Sequence, residues 1–389
     1  VETLIDQNIA HSMAMVFALL ATAIFWNLGT WYLGIPCSSS HTLIGSILGV
    51  GIAYSLLPDA KGAAVNWGKA YDIGLSLLLS PALGLSLTVL IMFLMRILIK
   101  NPSIFSAPPK NKKPPIWIRT ILLLTCTSVS MSHGSNDGQK GVGLMMLILI
   151  GIVPAYFAID LNQDHRDMKP HLVQIEQVLD NVDTLSFSEK NRKVYHEVQN
   201  EIFALNAIIA GTPEGQEISE DQRFETRKSI LLINKSVKDW GKSDEEYFSE
   251  EQIEIMKAGT KGLSKHTDYA PFWVIILISL SLGIGTMIGW KRIVVTIGEK
   301  IGKTHLTYAQ GASAEIVAAS TIGFSTFLGL PVSTTHVLSS GIAGSMIASD
   351  GLKNLQRGTI KNILIAWLLT FPVCVTVSGS LFLLLRNIL

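Results

Sequence analysis

The chain has 389 residues, 48% hydrophobic and only 16% charged, with a formal net charge of +1 and a mean hydropathy of +0.39. That balance excludes an ordinary soluble globular protein. The charge is unevenly placed: residues 160–268 hold 22 of the 30 acidic and 14 of the 31 basic residues, leaving 8 acidic and 17 basic residues elsewhere. An acidic block is therefore inserted in a basic, membrane-like remainder, whose excess reads as positive-inside loop charge and not as a nucleic-acid surface.

Residues 12–33 carry no charge and are long enough to span a bilayer, with Trp26, Trp31 and Tyr32 as interface anchors toward one end. The octapeptide from Gly34 to His41, G-I-P-C-S-S-S-H, follows at once. Residues 42–57 are apolar but short, with Gly45 and Gly49 spaced for close helix packing, and read as a half-helix or re-entrant hairpin. A polar connection is expected over 58–72 and a second span over 73–99, kinked at Pro81, with Arg96 snorkelling at its end. Residues 100–115 form a basic, proline-rich loop with Lys100, Lys110, Lys112 and Lys113, expected on the cytoplasmic side.

Residues 116–157 contain two apolar runs flanking the polar stretch from Ser132 to Gly141, S-H-G-S-N-D-G-Q-K-G. Each run is short against the roughly 20 residues a span needs, so a membrane helix broken at its middle is expected. The acidic block then reads as three or four amphipathic helices. Leu172, Ile175, Val178, Leu179 and Val182 keep helical spacing, as do Val194, Val198, Ile202, Leu205 and Ile209. Capping-box patterns stand at Ser186–Glu189, Ser219–Gln222 and Ser249–Gln252. His165, His171, His196 and His266 are expected to be solvated, and Cys37, Cys126 and Cys374 to be small buried residues. Further spans are expected over 270–290, 308–328 and 359–384, with basic loops at 291–304 and around Lys353, Arg357 and Lys361.

A second octapeptide, G-L-P-V-S-T-T-H from Gly329 to His336, repeats the first. Aligning 34–52 with 329–347 gives 8 identities in 19 positions, with hydroxyl opposite hydroxyl at two more. A helix-breaking G-x-P followed by three hydroxyls, present twice in apolar segments, points to a transporter of two related halves. The break frees backbone N–H groups at the start of the next half-helix. Those groups, the positive end of the helix dipole and the hydroxyls of Ser38, Ser39, Ser40, Ser333, Thr334 and Thr335 make a site for a tetrahedral oxyanion. For one such copy ordinary N-capping is the better account; two copies at matching positions favour the anion site.

Asp137 is a carboxylate inside a membrane segment, expensive there and hence a candidate for binding a cation or a proton. Lys140, three residues on, is its alternative structural partner. His133 is a candidate proton relay, and Glu315 either a relay carboxylate or an interface residue beside Gln310. His41 and His336 either fix neighbouring hydroxyls or titrate. Two other functions share these residues. An intramembrane Ser/His hydrolase using Asp137 is opposed by the absence of a G-x-S-x-G elbow and of HExxH. A sulfate carrier would use the same donors.

The segment G-S-N-D ending at Asp137, paired with the distant G-L-P-V-S-T-T-H, resembles the inorganic phosphate transporter family, Pit/PiT. The stretches S-H-G-S-N-D-G-Q-K-G-V-G-L (132–144), G-T-M-I-G-W-K-R (285–292) and I-G-E-K-I-G-K (297–303) resemble its bacterial low-affinity branch. The resemblance implies an all-α polytopic membrane protein, an inverted-repeat transporter with broken or re-entrant helices and a soluble helical insert. The parts would be residues 1–157, the insert 158–269, and residues 270–389. It implies phosphate ligands Ser38, Ser39, Ser40, Asn136, Ser333, Thr334 and Thr335, and coupling-ion residues Asp137, Lys140, His133 and Glu315. It further implies no cofactor and no enzyme activity, with protons and the lipid bilayer as partners and a homo-oligomer left open. Its cargo would be inorganic phosphate, including a neutral complex with a divalent metal, and its home a bacterial inner membrane. The family's N-terminal copy of the N-D motif has no counterpart in residues 1–33, so the chain is expected to be truncated at that end. The family pattern N-D-x-x-N reads N-D-G-Q-K here, so the Lys140 ammonium is expected to stand where a sodium ion would bind.

Overall fold

The computed structural model describes residues 12–57, 65, 67–108, 114–182, 184, 187–243, 247–330 and 332–388. The expected loop lysines 110, 112 and 113, the Ser186 cap, Pro331 and most of the 58–66 connection lie outside them. Among the described residues the chain is all-helical apart from one isolated bridge, Gly302 with Leu355. It divides into two compact units, Val1–Leu147 with Trp273–Leu389, and Ile148–Phe272.

In the first unit α1 (Ser12–Tyr32) leads into α2 (Ser39–Ser55) and α3 (Trp67–Leu98). Near its other end α11 (Tyr308–Phe327) leads into α12 (Thr334–Asp350) and α13 (Arg357–Leu385). Both triplets turn the same way for the same reason. Gly34 and Gly329 each sit at φ +66°, the left-handed region that favours glycine. In each, the glycine N–H returns to the carbonyl three residues back (Trp31, 2.9 Å; Thr326, 3.2 Å). The next N–H returns five residues back (Ile35 to Thr30, 2.9 Å; Leu330 to Ser325, 2.8 Å). That pair of bonds closes a helix in a Schellman motif. Ser38 and Ser333 then cap the next helix in extended backbone, accepting the His41 and His336 N–H groups, each at 3.2 Å.

Packing exchanges the third helix of each triplet. α2 packs chiefly on α13, and α12 chiefly on α3. Small residues permit both crossings. A Cβ at Gly49 would collide with Ser378 Oγ and the Val375 carbonyl, and one at Gly344 would meet the Leu85 backbone. Gly379 approaches the Gly49 carbonyl, and Gly84 the Val337 carbonyl. Without a hydrophobic drive between helices in lipid, such close backbone approach is what holds them together. The reciprocal crossing gives the all-α, inverted-repeat architecture its centre.

Among the described residues four helices are long and apolar enough to cross a membrane: Met13–Tyr32, Leu78–Leu98, Phe272–Glu299 and Arg357–Leu385. Two of the elements run longer than the sequence suggests. α3 begins at Trp67, so residues 67–72 are helical and not connection. α10 (Phe272–Glu299) absorbs Lys291 and Arg292. The Arg292 guanidinium there donates to the Tyr32 carbonyl at 2.6 Å and lies over the Trp31 and Tyr32 rings, a place for its charge without ending the helix.

The largest correction concerns α4 (Ile116–Ile152), which is one unbroken helix of 37 residues. The polar stretch does not break it because the side chains bond one another at helical spacing, His133 with Asp137, and Asn136 and Asp137 with Lys140. Their backbone groups stay in the helix ladder. At a rise of 1.5 Å per residue the helix is about 55 Å long, well beyond a hydrocarbon core of about 30 Å.

The second unit holds the end of α4, a short α5 (Pro154–Phe157) and four helices, α6 (Met168–Asp180), α7 (Glu189–Gly211), α8 (Glu220–Trp240) and α9 (Glu250–Ser264). The spacing read from sequence is the core. Leu172, Ile175, Val178, Leu179, Val198, Ile202, Leu205 and Ile209 are all buried, with Val182 and Val194 packed against them. Ser249 and Gln252 form a full capping box, whereas Ser219 bonds the Gln222 side chain alone, and Ser188 caps α7. His165 and His266 are buried and not solvated. Arg227 ties the ends of this unit, donating to the Ala158 and Thr267 carbonyls at 2.9 Å each. Of the cysteines only Cys374 is buried; Cys126 is exposed on α4.

Candidate functional site

The polar stretch of α4 meets both G-x-P breaks. Lys140 Nζ donates to Ser40 Oγ at 2.6 Å, to the Val332 carbonyl at 3.0 Å, to Asp137 Oδ1 at 3.1 Å, and to Asn136 Oδ1. Ser40 belongs to the first break, Val332 to the second, and Asn136 and Asp137 to α4. One ammonium thus binds oxygens from three elements. Ser40 Oγ also reaches the Val332 carbonyl at 3.4 Å. Asn136 uses its amide nitrogen on Thr326 Oγ1 at 2.9 Å, and His133 Nε2 meets Asp137 Oδ2 at 2.9 Å. The sequence order H-x-x-N-D-x-x-K fixes this set, because positions three and four apart share a helix face.

The electrostatics follow from the surroundings. Asp137 and Lys140 have side chains only 14% and 21% exposed, so little solvent screens their attraction. Asp137 meets both a cation and a further polar partner, Lys140 and His133, as a buried carboxylate requires. Beside the pair start α2 and α12, two half-helices whose N-terminal N–H groups and dipoles favour an anion.

Not every residue expected at this site is gathered into it. Ser38 and Ser333 are buried as caps, Thr334 is buried, Thr335 is half-buried, and Ser39 is exposed. Glu315 bonds Thr125 Oγ1, linking α11 to α4 apart from the lysine cluster. The Val332 carbonyl and Thr326 escaped sequence reasoning. The signal for the first was the break itself, since residues between Gly329 and the Ser333 cap carry carbonyls that no helix claims. Among the described residues no group of three His, Cys, Asp or Glu side chains is placed to hold a metal ion.

Two triplets that exchange their third helices, with paired half-helices meeting a charged cluster on one long helix, define a secondary membrane transporter. The chain belongs to the phosphate transporter family, whose model matches residues 1–378. It is similar to the low-affinity inorganic phosphate transporter of Buchnera aphidicola subsp. Acyrthosiphon pisum (39% identity, over 98% of this chain and 82% of the relative). It is also similar to the low-affinity inorganic phosphate transporter PitB of Escherichia coli K12 (37%, 98% and 82%). Among solved structures a sodium-dependent phosphate transporter shares the fold, with a TM-score of 0.50 at 20% identity over 100% of this chain and 84% of that one. Membership of a transporter family sets aside the hydrolase alternative: the protein is a multi-pass membrane transporter and not an enzyme.

Proposed function

We propose that this chain imports inorganic phosphate across a bacterial inner membrane, coupled to protons. The Lys140 cluster carries the reading, because it joins both half-helix breaks to the α4 carboxylate through one cation. The relatives named as inorganic phosphate transporters support phosphate over sulfate as cargo. Ser38, Ser39, Ser40, Asn136, Ser333, Thr334 and Thr335 supply neutral donors to the oxyanion. Asp137 with Lys140 and His133 handles the coupling charge, and Glu315 is a separate relay carboxylate.

Import of an anion against an inside-negative potential costs about 2.3 kcal/mol per charge per 100 mV. Accompanying protons, or carriage of phosphate as a neutral complex with a divalent metal, removes that cost. The oxygens around Lys140 Nζ are those a small monovalent cation would take, and the tethered ammonium fills their centre. This supports protons rather than sodium as the coupling ion.

Radiolabelled phosphate uptake into proteoliposomes tests the reading, under an imposed pH gradient and then a sodium gradient, with and without divalent metal. Uptake driven by the pH gradient and abolished by Asp137→Asn is the expected result. Uptake driven by sodium alone overturns the coupling assignment, and sulfate uptake in place of phosphate overturns the cargo.

A further inference from the structure

The two motif histidines meet. His41 and His336 occupy equivalent positions in the two repeats, and their ring centroids lie 4.5 Å apart. His336 also stacks on Trp367 at 3.8 Å, and Trp367 Nε1 donates to the Pro36 carbonyl in the first break at 3.0 Å. Both rings are buried, 9% and 3% exposed. Yet among the described residues His41 Nδ1 and both ring nitrogens of His336 have no hydrogen-bond partner, nor does the hydroxyl of Ser339 one turn along α12. Every neutral imidazole carries one N–H. His336 therefore buries an unpaired donor, an arrangement that costs stability unless another state of the protein uses it.

The charges nearby suggest which state. Lys140 bonds Ser40, the residue beside His41, and the ring that faces His336 across the contact is His41 itself. On the other helices packed against the half-helices, Glu315 is engaged with Thr125 on α4 and Arg96 donates to the Ser349 carbonyl; Cys374 lies on α13. Asp137, the carboxylate of the neighbouring cluster, is engaged with Lys140 and His133, so among the described residues no carboxylate bonds either imidazole to balance a proton there. An oxyanion on the hydroxyls and N–H groups that begin α2 and α12 supplies one, a turn or less from both rings.

We propose that His41 and His336 form a proton station shared by the two repeats, which holds a proton while an oxyanion occupies the adjacent half-helix N-termini. The inference rests on the proton-coupled phosphate reading above and assigns its proton to a place. The proton comes from water on the entry side, adds to an imidazole nitrogen and returns to water on the exit side, with no other bond made or broken. Linkage makes the effect reciprocal: the bound anion favours the proton and the proton favours the anion. Binding the two together and neither alone is what symport requires. His41 and His336 are positioning residues for charge, not ligands of the anion.

The test uses the purified full chain in weakly buffered detergent solution, at acid pH where free phosphate stays the monoanion. Proton uptake on adding phosphate is followed with a pH indicator, beside phosphate binding. The wild type is expected to take up protons on binding. The H41Q/H336Q double variant is expected to bind phosphate, more weakly in acid than the wild type, with the proton uptake lost. Histidine 15N NMR of the wild-type chain gives a variant-free check: an additional imidazolium signal should appear with phosphate, beyond those that the other histidines give without it. If the wild type takes up protons and the double variant takes up as many, this proposal fails and the proton-coupled reading stands. If the wild type binds phosphate without proton uptake, both fail. An NMR spectrum unchanged by phosphate overturns the station even if the double variant does not fold.

Discussion

Ser378 Oγ donates to the Ser46 carbonyl at 2.8 Å, joining α13 to α2 at a point where Gly49 leaves room for nothing larger than hydrogen. Gly49→Ala puts a methyl against the Val375 carbonyl and the Ser378 hydroxyl, and neither the backbone nor the bonded side chain yields easily. We expect a loss of about 1–3 kcal/mol or more from overpacking. Gly344→Ala, which meets the Leu85 backbone at the other crossing, should cost a similar amount. Thermal unfolding in detergent measures both. Unchanged midpoints in the two variants would show that these crossings are looser than the structure has them.

Lys140→Asn removes the ammonium and leaves Asp137, the Val332 carbonyl and Ser40 facing the gap. Phosphate uptake driven by a pH gradient should fall at least about tenfold, the equivalent of roughly 1.4 kcal/mol. A dependence on sodium should appear in its place. Unimpaired, sodium-independent uptake by this variant would argue against a tethered cation in the coupling.

His266 gives the second unit a pH response. Burial holds its pKa below the ordinary histidine value, and the nearby Asp167 and Asp160 only partly oppose this. The unfolded chain therefore takes the proton first, so stability is full above about pH 6.5 and declines as pH falls from there toward the folded-state value. Hydrogen exchange of the full chain, corrected for intrinsic rates, should show protection in α6 and α9 weakening over that window. His266→Gln should flatten the response.

Arg227→Ala strands two buried carbonyls, Ala158 and Thr267. At about 1.5–3 kcal/mol for a hydrogen bond to a charged donor, the chain ends of the second unit that Arg227 holds should part readily. Limited proteolysis should then cut near residues 158 and 267 at least tenfold faster. Arg227→Lys, which keeps the charge but not the fork, should fall between the two.

The repeated break was legible because glycine, proline and hydroxyls sit where no helix can continue, and backbone chemistry alone demands those residue types. The amphipathic faces of α6 and α7 were legible for a similar reason, since Leu172 to Leu179 and Val198 to Ile209 repeat at the period of one helix. The continuity of α4 was not legible, because glycines and polar side chains at its middle suggest a break in the helix. Whether Asp137 and Lys140 bond each other or the backbone is a question of geometry that composition does not carry. The lysine's other two partners, Ser40 and Val332, lie 100 and 192 positions away. The burial of His165 and His266 and the exchange of α3 and α13 were equally out of reach. Gly84 and Gly379 announce a close neighbour without saying which.

That exchange has a consequence for how the protein is made. α2 ends at Ser55, and the helix it packs against begins at Arg357, about 300 residues later. At a synthesis rate of roughly 5–20 residues per second, the partner reaches the membrane about 15–60 s after α2 does. During that time Gly45 and Gly49 have no helix to rest on, and the whole second unit is translated in between. The ribosome thus delivers the two ends of the crossing as if they belonged to separate proteins, and each newborn chain must keep α2 assembly-competent until α13 arrives.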